Sequence, residues 1–166
     1  MKFIWALALS LAPGLVLANL MPVGEGTARW GFFKLYDAQF FASPQHTLAQ
    51  ALADDTPAQL KLCYARSLTV DNFVDGANHV LPADLPTELQ QAVERLHRAY
   101  LPVNQGDCYL FDYQPGIGTR LILNENTLVQ IETPGFKALY FGIWLGEQPL
   151  SDKLKQALTQ NLKGTP

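Results

Sequence analysis

Tyr64 and Arg66 lie two residues apart in Gln59 to Leu68, where Leu60, Leu62, Tyr64, Arg66 and Leu68 alternate with Lys61, Cys63, Ala65 and Ser67. Such alternation marks a strand with one apolar face. An arginine on that face has two readings. Either it holds an anion, because a buried cation without a partner is very costly, or it ends the strand at the solvent edge and reaches outward past a core leucine. Cys63 and Cys108 each fall in a strand-like run. In an oxidising compartment such an even pair is a disulfide candidate, and the alternative is two small core residues. A bridge would close a loop of about 45 residues and stabilise the fold by ~2 to 4 kcal/mol.

The remaining polar chemistry is sparse. His46, His79 and His97 form no His-x-x-x-His or His-Glu-x-x-His pair, so no metal site is expected. The cysteine spacing excludes Cys-x-x-Cys redox and haem-attachment motifs. Ser10 and Ser67 lack a Gly-x-Ser-x-Gly context. Gly24-Glu25-Gly26 and Gly116-Ile117-Gly118 lack the lysine and third glycine of phosphate loops and read as turns. No motif requires a cofactor, although haem, ligated by an axial His or Tyr, is a flat apolar occupant that a hydrophobic pocket can take.

The amino terminus sets the expected compartment. Lys2 precedes an apolar run from Phe3 to Leu17, and Val16-Leu17-Ala18 offers the small residues a signal peptidase reads. The run is about 15 residues, interrupted by Pro13-Gly14, and falls short of the ~20 needed for a stable membrane span. We therefore expect a signal peptide over residues 1–18, one domain over 19–166, and a periplasmic or secreted product. Without Lys2, 11 basic residues face 15 acidic ones. With no basic stripe to follow phosphates, nucleic acid is not an expected partner. The sequence does not point to a particular protein partner.

The elements that must position these groups follow from periodicity. The aromatic run Ala28 to Phe41, with Trp30, Phe32, Phe33, Leu35, Tyr36, Phe40 and Phe41, reads as a long strand or a hairpin, its aromatics expected mainly in the core. Leu48 to Leu52 reads as a helical turn or loop rim. Val70 to Leu81 reads as a helix with Asp71 as a candidate cap. Pro86 to Tyr100 carries Leu89, Val93, Leu96 and Tyr100 on one stripe and is stopped by Pro102. Asp107 to Tyr113, Thr119 to Leu123 and Leu128 to Glu132 read as antiparallel strands joined by Pro115-Gly116-Ile117-Gly118 and Asn124-Glu125-Asn126 turns. Gly135 to Leu145 and Ser151 to Leu162 complete the chain as an apolar and an amphipathic helix. The implied class is α+β, an antiparallel β-sheet with helices packed on one face.

Several motifs carry a family resemblance. Gly146, Glu147, Leu150, Ser151, Leu154 and Lys155 follow the Gly-Glu-x-x-apolar-Ser-x-x-Leu-Lys pattern of plant chalcone isomerases. Tyr100 to Asn104 (YLPVN) is similar to their Phe-Lys-Pro-Val-Asn, and Lys34-Leu35-Tyr36 to a strand reading Lys-Phe-Thr. With Lys34, Tyr36, Asp37, Ala38 and the Trp144-Leu145-Gly146 ending, the chain resembles secreted bacterial proteins of the chalcone isomerase-like family. The resemblance implies that fold. It also places Tyr36 and Ile143 where the plant enzyme has threonines that contact substrate, and Gly24 where it has its key arginine. Arg29 is the nearest basic residue, on the opposite strand parity from Tyr36, and Asn78 is a weak match for a helix asparagine. Each preorganised donor lost typically costs ~2.7 to 4 kcal/mol of transition-state stabilisation, so the reading leans away from catalysis and no residue is assigned a catalytic role.

Non-catalytic plastid relatives have tyrosine at the position of Tyr36 and hold a fatty-acid carboxylate with a Tyr and an Arg. By that resemblance the expected partner is a small hydrophobic, anionic ligand, bound by Tyr36 and Arg66 with Tyr64, Trp144 and Ile143 around them. The alternatives are an isomerase or lyase acting on an unsaturated ketone with Tyr36 as general acid, and a structural module that fills its own pocket.

Overall fold

The computed structural model describes residues 20–165, so the expected leader and its cleavage after Ala18 lie outside the described residues. Six strands form one antiparallel meander in the order β1 to β6. They are β1 (Met21–Trp30), β2 (Phe33–Ala42), β3 (Ala58–Tyr64), β4 (Cys108–Gln114), β5 (Gly118–Leu123) and β6 (Asn126–Ile131). Five helices complete the domain: α1 (Leu48–Leu52), α2 (Val70–Val80), α3 (Thr87–Ala99), α4 (Phe136–Leu145) and α5 (Asp152–Thr159).

Period-two patterning explains which sheet face is covered. Ala38, Leu62 and Tyr109 align across β2, β3 and β4, as do Phe40, Leu60 and Phe111, and all six are buried. The alternate residues Asp37, Gln39 and Lys61 face the other way and are exposed or half-buried. On that polar face Cys63 and Cys108 stand directly opposite each other, Cα atoms 4.1 Å apart, and form a disulfide. The close approach matches a cross-strand pair between ladder hydrogen bonds. The cysteines are thus a bridge on the half-exposed side of the sheet rather than core residues.

Turn chemistry sets the hairpins. Gly31, at φ 57°, takes the first position of the two-residue β1–β2 loop, where a left-handed backbone favours glycine. Asn124 (φ 45°) and Glu125 (φ 76°) form the β5–β6 loop, the paired positive φ of a type I′ hairpin. The aromatic run is therefore a hairpin, and β1 begins seven residues before Ala28. That extension was hidden by Gly24 and Gly26, whose presence α5 explains. A Cβ on Gly24 would lie 2.2 Å from the Leu158 carbonyl oxygen, and one on Gly26 2.8 Å from Leu154 Cδ1. The glycines let α5 lie directly on β1.

Helix ends also differ in detail from the periodicity. α2 is capped by Thr69 rather than Asp71: the Thr69 backbone N–H donates to Asn72 Oδ1 at 2.9 Å. Ser151 caps α5, its Oγ accepting from Leu154 N at 3.2 Å. α4 is almost wholly buried, including Lys137. The Lys137 ammonium donates to the Ala51 carbonyl (3.1 Å), the Thr56 carbonyl (2.7 Å) and the Ala53 carbonyl, and lies 4.2 Å over the Tyr113 ring. Three acceptors for three N–H groups satisfy this buried cation and tie the end of α1 to α4. Burial lowers its pKa to about 8, with Asp54 and Asp55 resisting the fall.

Candidate functional site

A cavity of about 550 Å³ opens between the Tyr36–Tyr64 end of the sheet, α2 and α4. Tyr36 and Tyr64 are opposite each other on β2 and β3, their ring centroids 5.6 Å apart. From α4 come Tyr140, Ile143 and Trp144; from α2 come Phe73, Gly76 and Ala77. The space exists because α2 offers small residues there: a Cβ added to Gly76 would meet nothing within 4 Å. Leu35, Leu62 and Leu68 supply aliphatic wall.

The polar atoms are few and organised. Trp144 Nε1 donates to the Tyr36 hydroxyl at 2.9 Å. That hydroxyl acts as acceptor, and its own proton has no acceptor among the described residues. Nor has the Tyr64 hydroxyl a hydrogen-bond partner among them. Desolvation by burial raises the pKa of Tyr36, the Trp144 bond partly opposing it, and raises that of Tyr64 more strongly. Both phenols therefore stay protonated at neutral pH and act as donors toward the cavity. Deeper in, the Tyr100 and Tyr140 hydroxyls bond each other at 2.8 Å and satisfy one another.

The sequence-derived residues meet here in part as expected. Tyr36, Tyr64, Arg66, Ile143 and Trp144 all line this one cavity. The strand, however, stops at Tyr64 rather than running to Leu68. Arg66 lies beyond its end, solvent-exposed, with its guanidinium 5.0 Å over the Phe33 ring. It is a cation on the cavity's rim rather than a buried charge.

Other expectations are corrected. Trp30, Phe32 and Phe33 are 74%, 98% and 59% exposed, not core, because the hairpin carries them past the rest of the sheet. Gly24, the counterpart of the enzyme's arginine, has no room for any side chain against α5. Asn78 lies outside the cavity, whereas Asn72 lines it. The three histidines are not in its wall. Tyr100, Tyr140 and Phe73 were missed as site residues. Tyr100 was visible only as a member of a helical stripe, and a stripe does not distinguish a cavity wall from a filled core.

This architecture, a six-stranded antiparallel meander covered by helices around an aromatic cavity, defines a class that comparison with known proteins identifies. Residues 18–159 match the family described as chalcone isomerase-like. The chain belongs to the chalcone isomerase-like family. Among solved structures, the Arabidopsis thaliana fatty-acid binding protein AtFAP1 is similar to it with a TM-score of 0.67 at 10% identity, covering 90% of this chain and 91% of that one. No curated protein matches the chain in sequence.

Proposed function

We propose that the protein is a non-catalytic carrier or receptor for a small hydrophobic anion such as a fatty acid, working in the periplasm after export. The observation that carries this reading is the combination in one cavity of an apolar wall, two tyrosine hydroxyls free to donate, and Arg66 at the rim. Its volume lies within the ~300 to 1,000 Å³ range of small-molecule sites. An alkyl chain would occupy the Leu62–Phe73–Ile143 side. A carboxylate would take hydrogen bonds from Tyr36 and Tyr64 and its counter-charge from Arg66, charge-assisted bonds being roughly twice as strong as neutral ones. The structural neighbour is named as a fatty-acid binding protein, which supports the same ligand class. A disulfide on the half-exposed sheet face suits an oxidising compartment, and the apolar leader supports export.

The test is native mass spectrometry of the full chain expressed with its leader, recovered from a bacterial periplasm and purified without detergent, with thermal unfolding in added palmitate. The expected results are a polypeptide beginning at Asn19, a bound mass of fatty-acid size, and a palmitate-dependent rise in Tm that shrinks in Tyr36→Phe and Arg66→Ala. A clean apo mass together with no palmitate response would sink the carrier reading. A substrate-dependent rate on an enone, lost in Tyr36→Phe, would replace it with the isomerase reading.

A further inference from the structure

The tip of the β1–β2 hairpin has an exposed aromatic surface that the core does not use and the cavity uses only in part. Trp30, Phe32 and Phe33 are 74%, 98% and 59% exposed and consecutive around the Gly31 turn. β3 pairs with β2 only over Tyr36 to Phe41, so residues 30–34 extend past the neighbouring strand. Three large aromatics at the apex of a projecting hairpin are not ordinary scatter of apolar surface, because contiguous exposed patches mark contacts.

The surrounding charge has the opposite sign to the whole chain. The chain is −3 overall, whereas Arg29, Lys34 and Arg66 stand on or beside the tip, where Asp37 pairs with Lys34 at 2.6 Å. Arg66 lies over Phe33 at 5.0 Å, and the Asp37 carboxyl is held below its usual range by the Lys34 and Thr27 hydrogen bonds, with Arg29 adding a smaller pull. A tryptophan with phenylalanines and a collar of basic side chains is the composition that settles at the boundary between lipid headgroups and acyl chains. The projecting shape suits a bilayer, which needs no matching groove. The tip is also continuous with the cavity: Trp30 and Arg66 line both, and Leu150 on the cavity wall is 41% exposed.

We propose that the Trp30–Phe33 hairpin tip docks on the surface of an anionic phospholipid bilayer, with Arg29, Lys34 and Arg66 on the headgroups, and so holds the cavity mouth against the membrane. An apolar ligand would then pass between lipid and cavity without crossing water. The docking itself does not depend on what the cavity binds.

The experiment is flotation of the periplasm-purified protein with vesicles of phosphatidylcholine alone or mixed with phosphatidylglycerol, comparing wild type with Phe32→Ser/Phe33→Ser. Neither residue lines the cavity, and Trp30 remains as a reporter. Wild type is expected to float with the anionic vesicles, to release as salt is raised, and to show Trp fluorescence quenched by brominated lipid. The double variant is expected to bind about tenfold more weakly, since interfacial binding scales with buried apolar area. Should the variant misfold, the wild type's dependence on phosphatidylglycerol content and its bromolipid quenching decide the matter alone. Absence of wild-type flotation, or equal flotation of the two proteins, would overturn the proposal. So would a dimer that dissociates in the double variant while neither protein binds vesicles, since a second copy would then be what covers the tip. Palmitate uptake measured on the same sample reads the cavity separately, so failure of docking and failure of the carrier function are distinguishable.

Discussion

The two ends of the helix-covered sheet face use the same strands to opposite effect. At one end Phe40, Leu60 and Phe111 are fully buried, and Phe111 packs against Tyr140, Phe141 and Trp144. Nearby, Lys137 fixes α1 to α4 through three carbonyls. At the other end Tyr36 and Tyr64 occupy the equivalent rows, yet the helix over them, α2, sets Phe73 against the Tyr64 ring but presents Gly76 and Ala77 beside it, and a cavity remains. A filled core follows when large side chains interdigitate from both layers. A cavity follows when one layer supplies small residues opposite large ones whose polar tips are left to be satisfied by a guest.

The sharpest way to break that contrast is Lys137→Met at the filled end. It would take a donor from the Ala51, Ala53 and Thr56 carbonyls, of which Ala53 keeps the Thr56 N–H and hydroxyl, and a loss of roughly 2 to 3 kcal/mol is expected, read as a lower denaturation midpoint with palmitate uptake unchanged. A loss below about 1 kcal/mol would mean that α1 does not depend on this cation.

Filling the hollow end is the converse. Gly76→Leu has open space to enter and removes a mid-helix glycine worth up to about 1 kcal/mol of helix stability. Tm is expected to hold or rise while palmitate affinity falls about tenfold, equivalent to ~1.4 kcal/mol. Gly76→Ala should keep most of the affinity. Unchanged binding in Gly76→Leu would place the ligand elsewhere.

The smallest expected effect lies at the boundary between the two ends. His97 contacts the rings of both Tyr100 and Tyr140, and its Nε2 is buried without a partner among the described residues. Burial lowers its pKa below the ordinary 6.5. The unfolded chain therefore takes up a proton first as pH falls below about 6.5, so stability present above that value declines toward the lower folded-state pKa. The difference in Tm between wild type and His97→Gln should shift against wild type between pH 7 and pH 5. A pH-independent difference would remove His97 from the boundary's electrostatics.

Much of this was legible in the residues. Alternation in Gln59 to Tyr64 gave β3 and its buried face, and Pro-Gly and Asn-rich segments gave the turns. The YLPVN and Gly146–Lys155 motifs gave the family. What was not legible has physical reasons. β1 looks like a loop because Pro22, Gly24 and Gly26 lack strand character, and those glycines make sense only with α5 pressed on them. The aromatics of the hairpin tip look like core because composition does not say where a strand outruns its neighbours. Arg66 looked like a face residue because the alternation of residue types continues past Tyr64, whereas the strand ends there and the chain turns toward α2.

Strand parity, turn positions and helical stripes follow from the residues alone, because these depend on neighbours within a few residues. The long-range outcomes were settled where the layers meet. Register placed Cys63 against Cys108 and Tyr36 against Tyr64, and the distance of α2 from the sheet left a cavity where the other end of the core is filled. These depend on how layers meet in space, and a void has no residues of its own to be read.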